Sequence, residues 1–403
     1  MNFWLKIMIK KFLDLGYQPL ANKYLKSYKK LSIKKKELYR LTVGFDTKTK
    51  LVSLFNKIPD KIMFDSNYPY KSSMSKTMTD SFRKFSVKIK KRFNPKLFLE
   101  IGSNDGALIK NFNKNQVICV EPCSNLAKIT KRKGYFTYND YWDLNLSNKI
   151  KSKFNTVDVI YSANTLTHIN DLNQVFKSIS NLLAQDGILI IEDPYFLECI
   201  KKLSYDQFYN EHIYIFSALS VKKLIHDFDL ELFDIEKLDT HGGSLRYYIK
   251  RANNNKIKIE NTVSKQISTE LKFGLGNFST YLKFGNSVKK SKNDLLKLLK
   301  TIKKKNQKII GYGATAKAST VLNYCNIGND MIDYFVDTTP DKKNRYMPGK
   351  NIKIKKYEKK LLNNVDYVYL GAWNFIKEIF KKEKKFIQKG GKFITHVPTP
   401  RII

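Results

Sequence analysis

The segment LEIGSNDGALIKNF, residues 99–112, decides the fold: an apolar strand ends at Glu100, turns through Gly102 and Gly106, and leads into a stretch that predicts a helix. Glycines at such a turn let the backbone approach a ligand closely. A dinucleotide-binding turn would read GxGxxG and seat a pyrophosphate on the helix N-terminus. Here there is no glycine at 104, and Glu100 and Asp105 would repel a pyrophosphate. A cationic, phosphate-free cofactor suits the turn better. Glu121 closes the next strand, where a carboxylate accepts hydrogen bonds from both hydroxyls of a ribose. The candidate cofactor-binding residues are therefore Glu100, Gly102, Ser103, Asn104, Gly106, Glu121 and Asn125, with Asn164 from the end of the fourth strand, and the expected cofactor is S-adenosylmethionine. The competing readings are a structural strand-turn-helix and a different nucleotide.

Outward from this segment the pattern stays regular. Strand-like runs Leu97–Ile101, Val117–Val120, Val157–Tyr161 and Ile188–Ile191 alternate with helical ones, including Leu172–Leu183, which predicts a parallel sheet covered by helices on both faces. Glu231–Leu238 and Ser244–Ile249 are joined by five residues, too few for a parallel crossover, so they are expected to pair antiparallel. Residues 252–305 read as a charged helical connector. A second αβ unit follows: Lys308–Ile310 is strand-like, GYGATAKAS opens a helix, Ile332–Val336 is a strand closed by Asp337, and Tyr367–Leu370 and Phe393–His396 supply more. The expected division is 1–66 (a small N-terminal lobe), 67–251 (the first α/β domain), 252–305 (the connector) and 306–403 (the second α/β domain).

The chain has 403 residues and a formal charge of +38, yet only eight of its 74 basic residues are Arg, and the lysines are spread among Asn, Ile, Tyr and Phe. That spread reads as compositional bias, so nucleic acid is not an expected partner. Cysteines at 119, 123, 199 and 325 form no CxxC pair, which fits a reducing compartment. Lysines interrupt the apolar start MNFWLKIMIKKFLDL before it reaches signal-peptide length, and no stretch approaches a membrane span. The expectation is a soluble cytoplasmic protein with no membrane partner.

Two clusters carry candidate catalysts. YSANTLTHINDL (161–172) follows the fourth strand, on the rim where ligands of doubly wound sheets gather, and brings Asn164 and His168 toward the cofactor. DQFYNEHIYIFS (206–217) follows the fifth and holds Tyr209, Glu211 and His212 within four residues. A histidine can be neutral and basic at physiological pH, and a neighbouring carboxylate can orient its ring. The plainer reading is a charged surface turn around a packed tyrosine.

At these residues the chain resembles the C-methyltransferases of deoxysugar biosynthesis, which act on nucleotide-linked 4-keto hexoses. The resemblance runs nearly end to end, through LDLGYQPLANKYL (13–25), YPYKSS (68–73), LEIGSNDG, FYNEH, THGGSLRYYI (240–249), GYGATAKASTVLNYC (311–325) and IDYFVDTTPDKKNRYMPG (332–349). It implies an α/β fold: a class I methyltransferase domain, Rossmann-like, with a seven-stranded sheet and an antiparallel last strand, plus a Rossmann-like C-terminal domain that helps bind a sugar nucleotide. It implies His212 as general base, accompanied by Tyr209 and Glu211, with His168 and a tyrosine of YPYKSS in the cluster, Tyr70 preferred and Tyr68 the alternative. The family opens with a four-cysteine zinc lobe. Here no cysteine precedes Cys119, and Gly44 and Thr47 stand near the second expected pair, so no zinc is expected and the lobe is either held without metal or frayed. Two rival readings remain: an NAD(P)-dependent sugar-nucleotide oxidoreductase or dehydratase, from GYGATAKAS and Asp337, and a decayed, non-catalytic binding protein.

Overall fold

The computed structural model describes residues 8–27, 37–66 and 68–403; most of the start MNFWLKIM lies outside them. Three sheets organise the chain. The first begins with β1 (Ile9–Gln18), β2 (Tyr39–Asp46) and β3 (Val52–Leu54), paired antiparallel in that order. The central sheet is built from β4 (Phe98–Ile101), β5 (Val117–Val120), β6 (Phe136–Tyr138), β7 (Val157–Ala163) and β8 (Leu183–Pro194), all parallel. The next strand, β9 (Tyr214–Ile215), leaves that sheet and pairs with β3, so a segment far along the chain completes the N-terminal sheet. The hairpin of β10 (Leu230–Leu238) and β11 (Ser244–Arg251) returns to the central sheet, where β11 runs antiparallel to both β10 and β8. Read across, the central order is β6-β5-β4-β7-β8-β11-β10.

The strand-like runs quoted above up to Ile249 each fall in a strand of this sheet, which also holds β6. β4 and β5 are buried along their whole length, FLEI and VICV, as strands covered on both faces must be. One expectation is corrected. After β4 the chain forms only a short 3-10 turn, Ile109–Asn111, in place of a helix. Asn111 explains part of this: its Nδ2 donates to the Leu108 carbonyl at 2.8 Å, competing with the helical ladder.

The third sheet holds β12 (Ile309–Tyr312), β13 (Tyr334–Asp337), β14 (Lys353–Lys356), β15 (Tyr367–Leu370), β16 (Lys392–Thr395) and β17 (Arg401–Ile402). Its order is β14-β13-β12-β15-β16-β17, parallel except for β17. Helices Asn261–Phe273 and Phe278–Lys304 connect it to the central sheet.

The N-terminal sheet is ordered by apolar packing. Phe45 stacks on Tyr281 of the long helix at 4.0 Å between ring centres, and Phe12 and Phe196 each lie 5.3 Å from the same ring. Gly285 lets that helix press on the strand: a Cβ there would fall 2.2 Å from the Phe12 carbonyl oxygen. Gly44, near an expected cysteine position, is enclosed by Ile9 and Phe55, each 2.5 Å from where a Cβ would stand. Among the described residues, no group of three or more His, Cys, Asp or Glu is placed to hold a metal ion, and no helix is long and apolar enough to cross a membrane. Phe12→Ala should cost about 3–5 kcal/mol, the usual loss for a core phenylalanine; urea unfolding followed by circular dichroism measures it.

Candidate active site

A cleft of about 390 Å³ runs between the carboxyl ends of the central strands and the C-terminal sheet. On the central side its wall is made by Glu100, Gly102, Ser103, Asn104, Glu121 and Asn164. Gly102 adopts φ +76°, and a Cβ there would strike the Thr165 hydroxyl at 2.2 Å, so the turn needs glycine on both counts. Glu121 accepts backbone N–H groups on both oxygens, from Asn104 at 2.8 Å and Cys123 at 2.9 Å, leaving a lone pair on each for a ribose. Glu100 Oε2 is buried and accepts no hydrogen bond. Burial, with Glu121 and Asp105 nearby, raises the Glu100 carboxyl well above its ordinary range. A cationic ligand would satisfy that oxygen and reverse the shift; a pyrophosphate would worsen it. The residues present thus fit S-adenosylmethionine.

Two expected cofactor residues stand outside this wall. Gly106 (φ +82°) would bring a Cβ within 3.2–3.3 Å of Thr130 and Ile109, so it serves packing behind the turn. Asn125 does not line the cleft; its Nδ2 donates to the Tyr68 carbonyl at 2.9 Å. It ties down YPYKSS, as does Asn104, which accepts from Ser72 N and donates to the Tyr70 carbonyl. Ser73 Oγ also donates to Asp105.

Deeper in the cleft the FYNEH cluster faces His168. His212 Nδ1 lies 2.8 Å from the Gln207 carbonyl, which can only accept, so Nδ1 carries the proton and Nε2 the lone pair. Tyr209 donates its phenolic proton to Nε2 at 2.5 Å. Burial, then the proximity of His168 and of the Lys317 ammonium, holds His212 well below its ordinary value. His168 stacks between Phe64 and His212, at 5.5 and 5.1 Å. Its Nε2 is buried without a partner, and burial lowers it to about 4.

Glu211 does something other than orient His212. Its carboxylate accepts from Asn22 Nδ2 at 2.9 Å on both oxygens and from Tyr68 OH at 2.9 Å. Burial pushes it up to about 7 although both donors pull it down. The Gln207 carbonyl takes the orienting role, because the chain turns between residues 207 and 212 and sends the two neighbouring side chains opposite ways. The tyrosine of YPYKSS joined to this network is Tyr68; Tyr70 lines the cleft mouth at 42% exposure.

The far wall includes residues the motifs contained but their reading overlooked. Lys317 of GYGATAKAS is buried, donates to the His241 carbonyl at 3.1 Å and is lowered to about 8 by burial. His241 of THGG adopts φ +54°, its Nε2 is buried without a partner, and burial lowers it to about 3. Asn22 reaches the cluster from LDLGYQPLAN. Nothing local in the sequence marks these three, because separate domains bring them together.

A parallel sheet with one inserted antiparallel strand, and an acid-lined glycine turn at its centre, define a class I methyltransferase that uses S-adenosylmethionine. The sequence comparisons agree. The family model "Methyltransferase domain" matches residues 70–235, and the model "C-methyltransferase C-terminal domain" matches residues 239–398. The C-methyltransferase NovU of Streptomyces niveus is 28% identical over 91% of this chain and 88% of its own length. S-adenosylmethionine-dependent methyltransferases from Clostridium acetobutylicum and Thermotoga maritima are 14% and 17% identical over 43% of this chain, covering 92% and 89% of their own, each with a TM-score of 0.33. Taken with the cofactor wall, the two family models and the NovU match support an S-adenosylmethionine-dependent C-methyltransferase.

His168 supplies a test of the buried cluster. Its pKa is lower folded than unfolded, so its contribution to stability is complete above about pH 6.5 and is lost as pH falls toward about 4. Relative to wild type, His168→Phe should gain stability by about 1.4 kcal/mol per pH unit across that window. Urea unfolding of both proteins at pH 7.5, 6, 5 and 4.5 measures the difference; parallel curves would refute it.

Proposed function

We propose that this C-methyltransferase acts on the carbon beside the ketone of a nucleotide-linked 4-keto deoxyhexose, through proton removal to an enolate. One observation carries the reading: a neutral histidine, fixed with its lone pair toward a tyrosine, at the floor of a cleft whose other wall fits the methyl donor. Bound S-adenosylmethionine supplies an electrophilic methyl group, so the protein must supply a carbanion. A ketone makes that feasible because the adjacent proton leaves to give an enolate.

Tyr209 occupies the His212 lone pair. The substrate proton therefore reaches His212 by relay: the Tyr209 oxygen takes it while passing its own to Nε2, leaving tyrosine neutral and His212 an imidazolium. Such a C–H acid is far weaker than imidazolium, and each unit of mismatch costs about 1.4 kcal/mol. The enolate oxygen must be stabilised, and one placed donor is worth about 3–4 kcal/mol. His168 suits this role: burial keeps its ring neutral, and its unpartnered Nε2 can donate. Glu211 holds Tyr68 and Asn22 at the edge of the same cluster.

The C-terminal wall favours substrate over a second dinucleotide. Asp337, the residue a dinucleotide ribose would need, differs from Glu121 in being paired with an ammonium: its Oδ2 is filled by Lys342 Nζ at 3.3 Å and Ala314 N at 2.8 Å. Lys317 meanwhile presents a buried ammonium to the cleft, suited to the phosphates of a nucleotide-linked sugar. The intact FYNEH geometry speaks against a decayed protein.

Calorimetric titration should show S-adenosylmethionine binding that weakens in Glu121→Ala, with no NAD(H) binding; binding of NAD(H) alone would overturn the assignment of the central domain. His212→Asn should lower kcat by about 10²–10⁴. The relay requires Tyr209→Phe to fall comparably, and a Tyr209→Phe enzyme with wild-type kcat would mean that His212 acts directly. Because burial depresses His212, kcat/KM should hold as pH drops past 6.5 and decline only below it. An acid limb near 7 would instead report Glu211.

A further inference from the structure

Just before the FYNEH cluster lies the short turn Tyr205–Gln207, buried and, with the adjoining Phe208, held by the C-terminal domain. Tyr205 OH meets Cys325 Sγ at 3.6 Å. Asp206 Oδ2 accepts from Trp373 Nε1 at 2.6 Å and lies 3.3 Å from His396 Nε2. Thr320 Oγ1 donates to the Phe208 carbonyl at 3.2 Å. Asp206 and His396 are both fully buried, and a buried carboxylate without its partners would be strongly unfavourable, so the pairing resists movement of the turn. Burial alone would raise the Asp206 carboxyl, yet His396, Lys317 and Trp373 together hold it below its ordinary range.

The next residue carries this anchoring to the site. The Gln207 carbonyl accepts His212 Nδ1–H, and its side-chain Nε2 donates to the His241 carbonyl at 2.7 Å. We propose that Asp206 is a positioning residue: by tying the 205–207 turn to Trp373 and His396, it fixes the Gln207 carbonyl that holds His212 in its Nδ1–H tautomer. The C-terminal domain then sets the state of the histidine as well as walling the cleft. If the carbonyl shifts, the two neutral tautomers compete, and the Nε2–H form cannot accept from Tyr209. The catalytic consequence rests on His212 being the base; the tautomer lock does not.

The test uses full-length protein labelled with ¹⁵N in the histidine rings, comparing wild type with Asp206→Asn and Trp373→Phe, and with His212→Asn to identify the His212 signals. Wild type should show His212 as a single Nδ1–H tautomer. Both variants should shift it toward a mixture and lower kcat about 10²-fold, the loss expected from a misplaced group, with the KM for S-adenosylmethionine within about twofold. The activity probe is a nucleoside diphosphate-linked 4-keto-6-deoxyhexose. Should Asp206→Asn fail to fold, Trp373→Phe, which removes the N–H donor while keeping an aromatic ring, carries the comparison. Folded variants with wild-type His212 signals would overturn the proposal. A tautomer shift in an enzyme whose wild type leaves the probe unmethylated would uphold the positioning role and overturn the substrate reading instead.

Discussion

The backbone between Ser204 and Phe216 is held from three directions, and the rest of the site depends on that. Leu54 N donates to the Ile213 carbonyl at 2.8 Å, and β9 closes the N-terminal sheet two residues after His212. Asn210 Nδ2 donates to the Pro19 carbonyl at 3.1 Å, while Asn22 binds Glu211. On the other side, Thr320, Trp373 and His396 of the C-terminal domain fasten residues 206–208. A segment with little regular structure of its own is thereby fastened along its length by other elements. Precise geometry of a catalytic loop generally requires this kind of external support.

Burial governs the chemistry of the cleft. Removing water penalises charge, so the acids are pushed up and the bases pushed down: Glu211 to about 7, His168 to about 4, His241 to about 3, Lys317 to about 8. Histidines that would be half charged near neutrality are uniformly neutral here. Proton transfer to such a ring creates a new charge in a place that resists it. The His212 ring is paired with Tyr209 and the Gln207 carbonyl, which together would suit an imidazolium there.

The N-terminal lobe is fastened to the rest of the chain by aromatic packing. A lobe of this size buries little apolar surface by itself and ordinarily needs a staple. Here the staple is the ring cluster of Phe12, Phe45 and Tyr281, which fastens β1 and β2 to the long helix Phe278–Lys304, with Gly285 permitting the close approach. Asn22 and Tyr24 then reach Glu211 and the Ala314 carbonyl from a firm base.

The sequence by itself determined the strands, their alternation with helices, the antiparallel hairpin, and the glycine turn with Glu100 and Glu121. These follow from periodicity and local backbone chemistry, which neighbouring residues encode. It overestimated the helix after Gly106, where the Asn111 side chain competes for the backbone, and it passed over the small strand β6. Which side chains meet was decided only by the tertiary structure. Glu211 stands beside His212 in the chain yet turns toward Asn22 and Tyr68, while the carbonyl that orients His212 comes from Gln207. Tyr68 rather than Tyr70 joins that network, and Asp206 matters through Trp373, 167 residues away. Spacing along a chain fixes which residues are neighbours on one element; the direction of a side chain in a loop is fixed by whatever other elements pack against it.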